Sequence, residues 1–276
     1  MTDGVAEIGF DQRNGITRLS HLYQRDPLRV LFPVPAAGDP PLAVIVTTSG
    51  GLVAGDRLDV EVELAAGAAA HVTASAAEKV YRSTGRTTTT ITQTLSIGPS
   101  AVLEFLPPET ILFDGARLRR ETIVDLASGS AFLGGDIVVF GRRARGERFA
   151  SGFLREVWEV RCNGELVWGD ALHLDDDVGL IIENSACFDG AAAFATMILS
   201  LPGGDPRNLL DSARLLQSAA ATMGLLVGAT AVGGLVIARW LATEPAALRR
   251  AYADLACHFR STALGFPQRL PRVWHV

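Results

Sequence analysis

Two-residue alternation between apolar and charged side chains is the feature that most constrains this chain. In LDVEVEL, Leu58, Val60, Val62 and Leu64 fall on one side, and Asp59, Glu61 and Glu63 on the other. An extended strand with one buried face produces that period, whereas a helix would scatter the same residues around its axis. TTTTITQTLSI (residues 87–97) is rich in β-branched side chains, which favour a pleated surface. AVLEFL, RETIVDL, AFLGGDIVVFG, REVWEVRC and ELVWGDAL continue the pattern, separated by Gly, Pro, Asn and Asp. Asn163-Gly164 in RCNGEL is a strong two-residue hairpin signal. The expected fold is therefore mainly β, a β-helical or sandwich-like stack of many short strands. No sequence period of 20–50 residues repeats along it.

Two helices are expected late in the chain. The first opens at Asp205-Pro206, a cap followed by proline at the first helical position, with Leu209, Ala213, Leu216, Ala220 and Met223 as its apolar stripe. The second opens between Thr243 and Pro245, with Leu248, Tyr252, Leu255 and Phe259 inward and Arg249, Arg250 and Asp254 outward. Residues 215–238 carry no charge, but their alanines and glycines give too little transfer energy for a membrane span. They read as a helix end, a glycine turn and a core strand. The tail FPQRLPRVWHV reads as extended. No linker interrupts the pattern, so one domain over residues 1–276 is expected. The N-terminal residues lack the basic and apolar regions of a signal peptide, which predicts a cytoplasmic protein. Cys162, Cys187 and Cys257 are too far apart for a framework and read as reduced core thiols. A net charge of −5 gives no reason to expect nucleic acid as a partner.

The loop SGGLVAGDRL resembles a phosphate cradle at first sight. A phosphate loop needs a following helix, and here a strand follows. The glycines then supply positive φ in a tight connection, and Asp56 bonds its own turn. EKVYRSTGR places Lys79, Arg82 and Arg86 around Tyr81, either an anion- or partner-binding patch or a solvated turn. HLDDD sets His173 beside Asp175, Asp176 and Asp177, either a cation site or a solvated turn. Glu109, between Pro107-Pro108 and an apolar run, must find a partner if buried. Glu147 lies within reach of Arg142, and Asp136 stands at the start of a strand. Residue chemistry alone leaves these acids as structural ion pairs, a glycosidase-like acid and base, or a cation route.

Taken in order, SGGLVAGDRL, HVTASAAEKVYRSTG, LEFLPPETILFDGA, FGRRARGERFASG and the terminal PRVW resemble the UreD (UreH) family of urease accessory proteins. The resemblance runs over roughly residues 30–275. Ala54, Ser75, Pro108 and Gly135 depart from the usual pattern. The resemblance implies a β-rich chain with two helices, no catalytic chemistry and no tightly bound cofactor. It implies binding to apo-urease subunits and to the partners UreF and UreG, the latter a nickel-carrying GTPase, with no nucleic acid or membrane involved. It implies an internal polar passage for nickel, on which Asp56, Glu109, Asp136 and Glu147 match acidic positions. Lys79, Arg82 and Arg142 are expected to orient these carboxylates. Oxygen ligands hold nickel weakly, which suits an ion in transit. The rival expectation is a β-rich carbohydrate-active enzyme using paired carboxylates, against which count the small supply of stacking rings, four Trp and three Tyr, and the absence of signal-peptide features. A mean hydropathy of +0.25 fits a chain that keeps apolar surface for partners.

Overall fold

The structure is a computed structural model and describes residues 1–203, 206–222 and 224–275. The alternating segments build two sheets. The seven-stranded sheet contains β1 (Asp3–Arg13), β2 (Ile16–Arg25), β5 (Arg57–Leu64), β8 (Thr89–Ile97), β11 (Arg117–Leu126), β13 (Gly152–Cys162) and β14 (Glu165–Asp176). Its order is β14-β13-β11-β8-β5-β1-β2. The ten-stranded sheet contains β3 (Leu28–Leu31), β4 (Leu42–Thr47), β6 (Ala69–Ala74), β7 (Glu78–Val80), β9 (Val102–Phe105), β10 (Thr110–Leu112), β12 (Ala131–Phe140), β15 (Ala193–Ser200), β16 (Leu226–Val232) and β17 (Leu235–Ala242). Its main path is β16-β17-β15-β12-β9-β6-β4-β3, with β10 joining β12 to β7.

Strands β1, β5, β8, β11 and β13 pair in parallel, as do β4, β6, β9 and β12. Parallel neighbours need a crossover, and here each crossover passes through the opposite sheet. The chain thus winds as a stack of coils. Strands β5, β8, β11 and β13 begin at Arg57, Thr89, Arg117 and Gly152, roughly thirty residues apart. The coil repeats in space although the sequence does not repeat. Antiparallel strands close the seven-stranded sheet, β2 against β1 and β14 against β13. Asn163 and Gly164, at φ 50° and 84°, make the expected hairpin into β14.

Three layers result. Inward residues such as Leu58, Ile91, Leu118, Phe132 and Phe140 form a core between the sheets. Leu133, Ile137, Met197 and Trp240, on the far side of the ten-stranded sheet, meet α2 (Pro206–Ala221) and α3 (Pro245–Thr262). Strand β12 is buried on both faces, so its run AFLGGDIVVF is nearly continuous in apolar residues. At Gly135 a side chain would collide with the Thr196 carbonyl and the Tyr252 hydroxyl, so β12 and α3 approach closely there because Gly135 has none.

Several expectations are corrected. Asp136 is the sixth of ten residues in β12, not its start. A short helix, α1 (Val178–Glu183), follows β14, and the tail ends in a 3-10 turn at Arg272–His275. The uncharged stretch supplies two strands: β16 is a half-exposed edge and β17 lies in the core. Cys187 is exposed, and Cys162 and Cys257 are half-buried. Arg249 turns inward rather than to solvent. Asp205 and Met223 lie outside the described residues. Among the described residues no helix is long and apolar enough to cross a membrane. Exposed Ile16, Leu19, Leu22 and Tyr23 on β2, with Leu31 and Phe32 just after, leave apolar surface at one end of the stack.

Candidate functional site: a buried ion cluster between the sheets

The glycine loop is a turn. Gly50, Gly51 and Gly55 all have positive φ, and Gly51 lies flat against the Tyr81 ring, where a Cβ would come within 2.6 Å. Tyr81 donates its hydroxyl proton to the Gly50 carbonyl. Asp56 accepts from the Val53 amide at 2.9 Å and from the Thr2 amide at 2.7 Å. Burial pushes its carboxyl upward, but these amides outweigh burial and hold it below the usual range. Asp56 is thus fully engaged in closing its turn and tying down the N-terminus.

The other expected residues occupy separate places. Glu109 pairs with Arg249 of α3 at 3.2 Å, on the helix side. Glu147 takes a bidentate bond from Arg142, at 2.7 and 2.8 Å. That bond holds Glu147 below its ordinary range against the opposing effect of burial. The Arg142 guanidinium also lies 4.2 Å from the centre of the Phe113 ring. Arg82 pairs with Asp114 rather than with any of the four acids. Lys79 is exposed on β7 and touches none of them; its neighbour Glu78 turns inward instead. In HLDDD, Asp175 meets Arg117 and Asp176 meets Arg86, so the run is tied to basic residues. No ion pair or hydrogen bond among the described residues joins Asp56, Glu109, Asp136 and Glu147 to one another.

Asp136 alone of the four enters a multi-residue cluster, buried between the two sheets toward the β13 end of the stack. Parallel register stacks Arg120 of β11 on Glu156 of β13, both facing inward. Arg120 donates from Nε to Glu156 Oε1 at 2.7 Å, from Nη1 to Thr110 Oγ1 at 2.8 Å and from Nη2 to Asp136 Oδ2 at 3.1 Å. Trp158 Nε1 donates to the same Asp136 oxygen at 2.9 Å. All three charged side chains are at least nine-tenths buried. Two carboxyls therefore share one guanidinium. Burial, with the Asp136 charge adding to it, pushes Glu156 up to about 8 despite Arg120. The pair carries one acid more than Arg120 neutralises, and near neutral pH a proton fills the deficit. No N–H or hydroxyl donor reaches Asp136 Oδ1 or Glu156 Oε2, and the contact between the two carboxyls helps raise Glu156. A cavity of about 70 Å³ leads from Thr47, Glu78 and Gln93 to Thr110 and Arg120, with room for water. At its other end Glu78 accepts from Thr47 Oγ1 at 2.5 Å, and burial raises its carboxyl too.

A divalent cation can replace a proton at such a carboxyl pair, since both compete for the same oxygens. Among the described residues no three His, Cys, Asp or Glu converge into a holding site. Two oxygen ligands and no imidazole make a weak stop rather than a resident centre. Arg120, Glu156 and Glu78 were not singled out from sequence. The signal was present: in RLRRETIVDL and GFLREVWEV, Arg120 and Glu156 occupy the inward positions of alternating strands, where apolar residues are the rule.

Known proteins with similar sequences share nearly the whole length. A family model described as UreD urease accessory protein matches residues 2–275. A protein of Magnetococcus marinus named urease accessory protein UreD is 41% identical over 275 residues, covering 99% of this chain and 94% of the relative. One from a Methylobacterium species with the same name is 42% identical over 264 residues, covering 95% and 90%. Urease accessory protein UreD 2 of Methylorubrum populi is 41% identical over 261 residues, covering 95% and 84%. The match across residues 2–275 and full-length identity near 40% establish that this chain belongs to the UreD urease accessory protein family.

Proposed function

We propose that this chain is a non-enzymatic scaffold for urease maturation in the cytoplasm. It binds apo-urease together with UreF and UreG and assists nickel insertion. Nickel is cargo, held briefly by carboxylate oxygens inside the stack and then released. The observation that carries this reading is the shortage of positive charge at Asp136 and Glu156, two buried carboxyls that share one guanidinium. The cavity from Glu78 reaches Thr110 and Arg120 of this cluster, and behind Arg120 stands a carboxyl, Glu156, that gives up its proton near neutral pH. Arg120 and Trp158 hold Asp136 in place.

The test is co-expression of the tagged chain with the urease subunits, UreF and UreG, followed by urease assay with nickel and bicarbonate. Co-elution and dependence of activity on this chain are expected. The triple variant Arg120→Met, Asp136→Asn, Glu156→Gln removes both acids without stranding Arg120 as a buried unpaired cation; it should co-elute fully yet lower activation at limiting nickel by about tenfold, the worth of one lost charged contact. Full activation by that variant would remove the cluster from the nickel route. Failure of the folded wild-type chain to co-elute would overturn the scaffold role.

A further inference from the structure

A second buried polar cluster lies on the opposite face of the ten-stranded sheet, between β6, β9 and α3. Parallel register places His71 of β6 beside Glu104 of β9. His71 Nδ1 lies 3.0 Å from Glu104 Oε2, and Arg260 of α3 donates from Nε to Glu104 Oε1 at 2.7 Å. Arg260 Nη2 donates to Asp39 at 3.0 Å, and Arg269 bonds the other Asp39 oxygen at 3.2 Å. His71, Glu104 and Arg260 are each at most 1% exposed. This network still leaves two polar atoms over, His71 Nε2 and Arg260 Nη1.

Both residues line a cavity of about 640 Å³ between the proline-rich segment 33–40 and the C-terminal tail, which adds Arg269 and Arg272. Three arginines face two carboxylates, Asp39 and Glu104, so the charge around this cavity is +1 before His71 is counted. Buried polar groups without partners are costly, and a pair of them beside a cavity of positive charge points to a ligand. When the ring carries one proton, on Nδ1 toward Glu104, Nε2 is an acceptor, while Arg260 Nη1 is a donor. An acceptor and a cationic donor, hung on the two oxygens of one carboxylate, complement an anion that carries both O⁻ and O–H.

We propose that this cavity binds a small proton-bearing oxyanion, hydrogencarbonate or hydrogenphosphate, with its charged oxygen on Arg260 and its hydroxyl on His71 Nε2. The site is separate from the Asp136–Glu156 cluster and does not depend on nickel or on urease.

The test is direct titration of the full chain at constant ionic strength, following ¹³C-hydrogencarbonate and ³¹P-phosphate linewidths with chloride as the control anion. Saturable binding of either anion, unmatched by chloride, is expected, and the anion that saturates at lower concentration identifies the source. His71→Asn keeps a donor toward Glu104 and deletes Nε2; it should weaken binding about tenfold, the worth of one buried hydrogen bond. Arg272→Ala lies at the cavity wall outside the ion network and should weaken binding several-fold even if His71→Asn does not fold. Linewidths that change no more than with chloride mean the cavity holds only water, which overturns the proposal. Saturable binding that Arg272→Ala and a folded His71→Asn leave unchanged places the anion elsewhere and also overturns it.

Discussion

At the scale of single residues, Glu156 has the clearest physical consequence. Its carboxyl titrates near 8 in the folded protein and near the ordinary glutamate value when unfolded. The folded state therefore holds the extra proton between those limits. The stabilisation is fully present below about pH 4 and is lost as pH rises toward and through 8, with a slope of at most about 1.4 kcal/mol per pH unit. Urea denaturation at pH 5, 6, 7 and 8 should show the wild type losing stability with pH relative to Glu156→Gln. Parallel pH curves for the two proteins would contradict the assignment. Arg120→Met should cost about 3–5 kcal/mol at pH 8 by stranding two buried acids, and adding Asp136→Asn and Glu156→Gln to it should restore much of that loss. Legibility differed sharply among these residues. Asp56, capping its own turn, and Glu147, gripped by Arg142, were readable because their partners lie within a few positions in the chain. The partners of Asp136 and Glu109 come from strands and helices far away: alternation marks Arg120 as inward, but nothing in the spacing matches it to Asp136, or Arg249 to Glu109.

At the scale of elements, strand β12 shows how a close approach fixes the layers. Gly135 lets the Tyr252 hydroxyl of α3 come down onto the sheet. Burial and the Asp136 charge both push the Tyr252 phenol well above its usual value, so it stays protonated. Gly135→Val should cost about 3 kcal/mol or more, because backbone stands where the new side chain would go. A thermal melt would show it, and an unchanged Tm would mean that α3 shifts aside freely. Alternation revealed the strands, and apolar stripes revealed α3, since both are local patterns. It did not reveal α1, whose six residues span less than two turns, nor the inward turn of Arg249, which the distant Glu109 and Trp274 create.

At the scale of the whole molecule, the coil stack was legible as a class but not as a period. Coils of similar length are closed by loops of different length and composition, so neighbouring coils share geometry without sharing motifs. Stacking puts side chains from successive coils into rows, and the row Leu58–Ile91–Arg120–Glu156 changes from apolar to charged halfway along. The ion cluster thus belongs to one end of the stack, near β13, while the exposed apolar residues of β2 belong to the other. The reversed strands at those ends have a further consequence. A pile of parallel coils is a template for its own elongation, since each terminal strand offers a row of unpaired amides and carbonyls to the next chain. Here the last strand at each end runs backward, so an incoming parallel coil finds the wrong polarity. Removing residues 1–25 would strip β1 and β2 and bare β5, whose parallel-pairing edge is then open. That truncated chain should grow into thioflavin-positive fibres under conditions where the intact chain does not, and a monomeric truncation would show that other features stop the growth. Polymerisation is held in check by two hairpins, and the length of the molecule is set where they turn.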